Sequence, residues 1–402
     1  MNERITTKEG DIMTFNFDHI VSRFGTNSAK WDGMAQSLGS DMIALSVADM
    51  DVPAPPAVVD KVCEMARHGI YGYTDPFPTY YEAVRQWMDQ AYQWKVERDW
   101  IVYCPRIIQA VSVLIQKCTE AGDRVLIHSP VYQPVAKAVT LNDRVLTESP
   151  MQLVNGRYEI DFADMEQRMR EGVKMVLLIS PHNPVGRVWT REELERIGRL
   201  CIEYDALIVS DDIHADFIHQ GHEHTVIAKL SEEIAERSVI CTSPGKTFNL
   251  ASLEIANIII PNRDLRERFK QGLLQAGIHN PTFFSVPALE AAYTSCEEWL
   301  TALQGYIKDN ITFTKQYIAE HMPELKIIEP EGTYLLWIDC SAVSRRESDL
   351  VDWIQEKARV SVSYGTSFGS GGEGFIRVNI AAPRGIIQEG LARMASAYPL
   401  NR

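Results

Sequence analysis

Between about residue 100 and residue 260, short and almost uninterrupted apolar runs alternate with amphipathic stretches. The runs Arg124–His128, Met175–Ser180, Ala206–Asp211, Ser238–Thr242 and Ile255–Ile260 read as strands. Between them, Ile107–Ala121 and Thr190–Tyr204 carry apolar residues three or four apart, the spacing of helices with one buried face. Thr190-Arg191-Glu192-Glu193 opens the second of these as a capping box. Continuous apolar strands separated by helices predict an α/β fold with a mostly parallel sheet covered on both faces. Ligands of such sheets gather beyond the carboxyl ends of the strands. The polar clusters Ser180-Pro-His-Asn-Pro-Val-Gly186, Asp211-Asp-Ile-His214 and Ser243-Pro-Gly-Lys246 fall there.

After about residue 290 the texture changes. A long helical region runs to about His321, followed by strand-like Gly332–Asp339, a helix near Ser348–Arg359 and a strand Phe375–Ile380. This pattern predicts a large domain over residues 50–290 and a smaller α+β domain over 291–402, with residues 1–49 packing on the latter. A length of 402 residues suits two such units. The net charge of −14 argues against nucleic acid and anionic membrane surfaces as partners. The N-terminus lacks an export signal, and no apolar stretch approaches the roughly 20 residues of a bilayer span. Seven cysteines without a C-x-x-C pair fit reduced thiols in a cytoplasm.

Why does the chain leave strand Ser238–Thr242 and set Lys246 in a Pro-Gly turn? A P-loop needs a glycine six residues before the lysine, and Ile240 stands there. A plain surface lysine is one alternative. Another is a structural ion pair with Asp211, since both residues end strands one crossover apart and face one crevice. The third is pyridoxal phosphate, which needs a lysine for covalent attachment and an acid to keep its ring nitrogen protonated. Its other needs have candidates too. Pro105 and Arg106 precede the helix that starts at Ile107, where free N–H groups favour a phosphate; a well-capped helix is the alternative. Ser243 offers a hydroxyl, or simply a turn residue. Tyr132 can stack on the ring or pack in the core. Asn183 can bond the ring hydroxyl or form a turn before proline. His214 lies near the same crevice by its spacing from Asp211. On Phe375–Ile380, Arg377 and Asn379 share one face, which suits carboxylate capture by Arg377 or a structural salt bridge.

Two motifs are set aside. Gly369-Ser-Gly371-Gly-Glu-Gly374 fits G-x-G-x-x-G, but a strand rather than a helix follows it. His219, His222 and His224 lack the carboxylate and helical spacing of a metal site.

In this order, SPHNPVGRVW, DDIHADF, SPGKTFNLASL and GFIRVNIAAPR resemble the fold-type I pyridoxal-phosphate enzymes of the class I/II aminotransferase superfamily. FGTNSAKWD, VADMDVPAP, YGYTDP and EGTYLLWID are similar to the bacterial cystathionine β-lyase, or cysteine-S-conjugate β-lyase, branch. The likeness runs from about residue 15 to the C-terminus. It implies an aspartate-aminotransferase-like fold with a seven-stranded sheet, and a cytoplasmic homodimer with shared active sites. Lys246 would carry pyridoxal 5'-phosphate, Asp211 pair with its ring nitrogen, Asn183 bond its ring oxygen and Tyr132 stack. Ser243 would join the phosphate cradle at the helix that starts at Ile107, with Tyr73 of the neighbouring subunit, His214 would lie near the ring oxygen, and Arg377, with Asn183, would hold the substrate carboxylate.

The implied reaction releases thiol, pyruvate and ammonia from L-cystathionine or a related L-cysteine conjugate, with Lys246 as general base. An aminotransferase uses the same residues and is the alternative; a non-catalytic regulator that keeps the cofactor is a second. Four positions depart from the pattern. Arg106 replaces a glycine and is expected to help hold the phosphate. Ser46 stands where tryptophan is usual. Glu254 occupies the place of a phosphate-binding arginine in many aminotransferases, and Asp212 replaces a glutamate.

Overall fold

The computed structural model describes residues 15–400. Seven strands form the large sheet: β1 (Ile101–Cys104), β2 (Arg124–Ser129), β3 (Val145–Pro150), β4 (Val173–Ile179), β5 (Leu207–Asp211), β6 (Ser238–Thr242) and β7 (Ala256–Ile259). Their spatial order is β1-β7-β6-β5-β4-β2-β3. All run parallel except β7, which is antiparallel to both neighbours.

The apolar runs are continuous because both faces of this sheet are covered. Val125 and Ile127, Met175, Leu177 and Ile179, Val209, Val239 and Cys241 join a core with helices Ile107–Cys118, Gln133–Thr140 and Arg263–Gln275. The alternate residues Leu126, Val176, Leu178, Ile208 and Ile240 enter the main core on the other face, which includes helix Arg191–Glu203. Each such fully buried aliphatic side chain contributes about 1.5–3 kcal/mol relative to exposure. Thr190 caps Arg191–Glu203, and the reciprocal bond from Glu193 completes the capping box.

Chain order reverses between β2 and β4. The strand run β2-β3 grows one way and β4-β5-β6 the other, which leaves a crevice at their carboxyl ends. A second, antiparallel sheet closes it. Its strands are β8 (Lys326–Ile327), β9 (Leu335–Asp339), β10 (Ser363–Tyr364) and β11 (Phe375–Asn379), in the order β8-β9-β11-β10. The helix expected near Ser348–Arg359 is one α-turn, Glu347–Leu350, continued as a π-helix to Lys357. Ile43–Ala44 pairs in parallel with Val360–Ser361, and so delivers the segment that follows Ala44 to the mouth of the crevice. Gly365 and Gly372 approach so closely that a Cβ on Gly372 would lie 1.9 Å from the Gly365 carbonyl oxygen, so the glycines before β11 serve backbone packing. No helix among the described residues is long and apolar enough to cross a membrane.

Candidate active site

Strand β6 ends at Thr242, and Ser243 accepts the Gly245 N–H at 3.0 Å to start the one-turn helix Pro244–Thr247. That turn aims Lys246 into the crevice, where its Nζ donates to the Ala48 carbonyl at 2.6 Å. Burial pulls the amine down to about 8; Arg377 and Lys30 add to this, while Asp49 and Asp211 oppose it. Asp211 is the last residue of β5. Burial and the neighbouring Asp212 charge push its carboxyl up to about 7, against the Ile213 N–H and Lys246. Lys246 and Asp211 share the crevice without forming an ion pair: the lysine's hydrogen bond goes to a carbonyl.

Arg377 enters from β11, all of whose residues are buried. Its Nη1 donates to Asn183 Oδ1 at 3.0 Å, and its Nη2 to the Ser46 carbonyl at 3.0 Å and Ser363 Oγ at 3.2 Å. The Nε has no partner, and the guanidinium lies 4.9 Å from the Phe368 ring centroid. Burial draws this group down to about 10, and no carboxylate pairs with it. The structural salt bridge is therefore not formed.

His214 is buried edge-on against Tyr334, with its Nδ1 unpartnered. Burial, Lys246 and Arg377 together hold it well below the ordinary histidine range, so it stands neutral. Tyr132 precedes helix Gln133–Thr140, and its N–H donates to the Asn183 carbonyl at 3.1 Å, which ties the loops after β2 and β4 together. Its phenol is raised by burial and by Asp211, and lowered by Arg377.

The remaining expected residues lie further out. Ser243 Oγ donates to the Ile255 carbonyl at 2.6 Å, so its proton is already committed. Arg106 is the N-cap of helix Ile107–Cys118 without a side-chain cap, which leaves the first N–H groups of that positive helix end available. The Arg106 guanidinium pairs with Glu254: two of the departures meet each other. Tyr73 is 97% exposed and lies outside this crevice. Of the three histidines set aside above, His224 bonds Asp212 at 3.1 Å.

A family model for aminotransferase class I and II matches residues 40–393. The chain belongs to that family. This class I/II member is 39% identical over 384 residues to the cystathionine beta-lyase PatB of Bacillus subtilis, covering 95% of this chain and 99% of the relative. It matches the structure of cystalysin from Treponema denticola with a TM-score of 0.93 at 36% identity, covering 96% and 99% of the two chains. A PLP-bound protein of Clostridium difficile 630, provisionally described as an aminotransferase, gives the same TM-score of 0.93 at 38% identity, with 96% and 100% covered. The fold is the aspartate-aminotransferase-like type I.

Sequence reasoning missed the strap Ser46–Asp49 of this aminotransferase-family chain. Its carbonyls serve as acceptors for the crevice. Ser46 receives Arg377 and Ser363, Val47 receives Asn379, Ala48 receives Lys246 and Tyr334, and Asp49 receives Asn379 and Lys30. Asn249, three residues after Lys246, bonds the carbonyls of Met50 and Val52 just beyond the strap and ties that segment to the loop of the lysine. VADMDVPAP and the departure at Ser46 carried the signal, without a role for the backbone carbonyls.

Proposed function

We propose that this chain is a pyridoxal-phosphate-dependent carbon–sulfur β-lyase that converts L-cystathionine or a related L-cysteine S-conjugate and water to thiol, pyruvate and ammonia. One observation carries the reading: a single crevice holds a buried amine, a buried acid without a cation and a buried guanidinium without a carboxylate. The donor set fits the cofactor and substrate, because each unmatched group has a partner in that pair. Asp211, raised to about 7, gains a counter-charge from a protonated ring nitrogen, and Arg377 gains one from a substrate carboxylate. The cystathionine beta-lyase name of the relative at 39% identity supports the lyase, and the aminotransferase description of the structure at 38% identity keeps the transaminase as the alternative.

In this reading Lys246 would hold the cofactor, Asn183 its ring oxygen, and Tyr132 and His214 its surroundings. Ile107, Ser243 and Arg106 would lie at its phosphate. When bound, pyridoxal phosphate supplies an aldehyde for attachment and a ring that withdraws electrons. Lys246, whose amine sits near 8, accepts the proton leaving the substrate's Cα. Asp211 keeps a proton at the ring nitrogen. Arg377, backed by Asn183 and seated in the strap, orients the carboxylate so that the Cα–H bond faces the lysine. We further assign residues 50–290 to the cofactor-binding unit and the flanking residues to the smaller one. We also propose a cytoplasmic homodimer in which Tyr73 of one subunit reaches the phosphate of the other; its near-complete exposure within one chain supports that role.

The test is an amino-acid panel followed at the cofactor's visible band. Thiol, pyruvate and ammonia should appear in equal amounts from cystathionine or S-alkyl-cysteines, and cysteine persulfide in place of the thiol from cystine. An amino group passed to an added 2-oxo acid without thiol release would establish the aminotransferase instead.

A further inference from the structure

The motif Asp49-Met50-Asp51 contains two carboxylates that the structure treats differently. Asp51 is saturated. It accepts from Arg23 at 2.7 Å, from the fully buried Lys30 at 2.6 Å and from Trp31 Nε1 at 2.8 Å. Asp49 is anchored by one oxygen alone: its Oδ2 takes Arg23 Nη2 at 2.5 Å, whereas its Oδ1 is buried with no donor. The residue before it, Ala48, is the one whose carbonyl holds the Lys246 amine.

We propose that Asp49 is a positioning residue for Lys246: its free carboxylate oxygen is the counter-charge for the ammonium that this lysine becomes when it takes the Cα proton. This rests on Lys246 being the cofactor lysine and general base. In that step the Cα–H bond breaks, an N–H bond forms on Nζ, and the electron pair stays on the substrate side. The product is an ammonium in a dry crevice, where an unmatched charge is costly. The crevice otherwise offers little help. Arg377 and Lys30 are cations, His214 is neutral, and Asp211 is committed to the ring nitrogen in the reading above. Asp49 opposes the burial of the Lys246 charge ahead of Asp211, and it also acts on Tyr334, the second donor on the Ala48 carbonyl. The carboxylate belongs to the residue next to the one whose carbonyl holds the amine, and pairing with the ammonium would satisfy its open oxygen. Arg23 has the opposite part: by pairing with Asp49 it tempers the carboxylate and fixes its position.

The experiment uses the full chain kept without cofactor and a small amine-acylating reagent across a pH series, with modification of Lys246 read by peptide mass spectrometry. The midpoint in the parent should lie near 8. Asp49→Asn should lower it by on the order of one pH unit, because an anion beside an ammonium is lost. Arg23→Met should raise it, because a competing cation is lost. Shifts of opposite sign support the proposal. If Asp49 merely braces the strap, both variants break the same ion pair and shift the midpoint alike or not at all, and the proposal fails. Should Asp49→Asn not fold, the Arg23→Met arm decides alone: an upward shift supports, and a downward or absent one overturns. A chain that shows both shifts yet never takes up the cofactor loses the lyase reading but keeps the Asp49–Lys246 coupling. A yellow holoenzyme whose apo lysine shows no shift loses the Asp49 proposal alone.

Discussion

Arg187 and Arg377 are both buried arginines on segments that carry the family resemblance, yet their surroundings are opposite. Arg187 donates from Nε to Glu331 at 2.9 Å, from Nη2 to both Glu193 oxygens at 2.9 and 2.8 Å, and from Nη1 to the Tyr158 carbonyl. It also lies against the Trp189 ring. Its charge is fully matched by two carboxylates, and nothing is left to offer a ligand. Arg377 meets only neutral acceptors and keeps an idle Nε. Burial of a cation is thus common to a structural strut and a binding group. The missing counter-ion separates them.

Replacement of each arginine by leucine should split stability from function. Arg187→Leu takes one of two cations from buried Glu331 and the guanidinium from half-buried Glu193, and should cost about 3–5 kcal/mol of unfolding free energy. Its KM should hold wherever the protein remains folded. Arg377→Leu removes no ion pair and relieves a desolvated charge, so its unfolding midpoint should stay level or rise. Its kcat/KM should fall roughly 30- to 5000-fold, as expected when a buried charge partner worth about 2–5 kcal/mol is removed. Denaturant melts beside steady-state kinetics would read both. Equal loss of stability in the two variants would erase the distinction.

The same contrast applies to the acids. Glu331, held by Arg157, Arg187 and the Val188 N–H, is lowered despite its burial; Asp211, with no cation bonded to it, is raised to about 7. A carboxyl raised on folding contributes stability that is present below its unfolded value near 3.8 and is lost as pH rises through 7. Without cofactor, this one carboxyl should therefore withdraw stability between pH 5 and pH 8, against the opposite contribution of the buried neutral histidines, among them His214. Asp211→Asn should escape that loss and gain about 2–3 kcal/mol on the parent over this interval. Urea midpoints at the two pH values measure it, and a constant difference between the chains would contradict it.

These contrasts mark what a sequence can and cannot disclose. Asp211, Asn183 and Lys246 were legible because each closes or follows a strand, and a parallel sheet gathers such ends at one rim. The inward Arg377 was legible from two-residue alternation, but its lack of a carboxylate was not, since that depends on every neighbour at once. The strap was hidden because it works through backbone carbonyls, which any sequence supplies. Strand β3 escaped notice because it lies at the sheet edge and buries Thr147 and Ser149 instead of aliphatic residues. Strand β1 is only four residues long and runs directly into Pro105. Arg106 and Glu254 stand 148 positions apart, so each looked like a separate departure until the fold joined them.

That pair yields the smallest effect and the finest test of matched against unmatched charge. Arg106 sits at the positive end of helix Ile107–Cys118 with its side chain 61% exposed, and Glu254 engages its guanidinium. While the pair holds, the arginine's charge is partly cancelled just where a phosphate would bind. Glu254→Gln frees the guanidinium without changing its position, so the apparent Kd for pyridoxal phosphate should tighten about two- to fivefold, the equivalent of about 0.3–1 kcal/mol for a charge at a helix terminus. Arg106→Gly should loosen it by a similar factor, and the gain from Glu254→Gln should vanish in the double variant, because the carboxylate acts only through the arginine. Equilibrium titration of the visible band at low and high salt reads all three, with the gain shrinking at high salt. If Arg106→Gly binds as well as the parent or better, the exposed arginine is no phosphate ligand, and its pairing with Glu254 is a surface contact of little energetic weight.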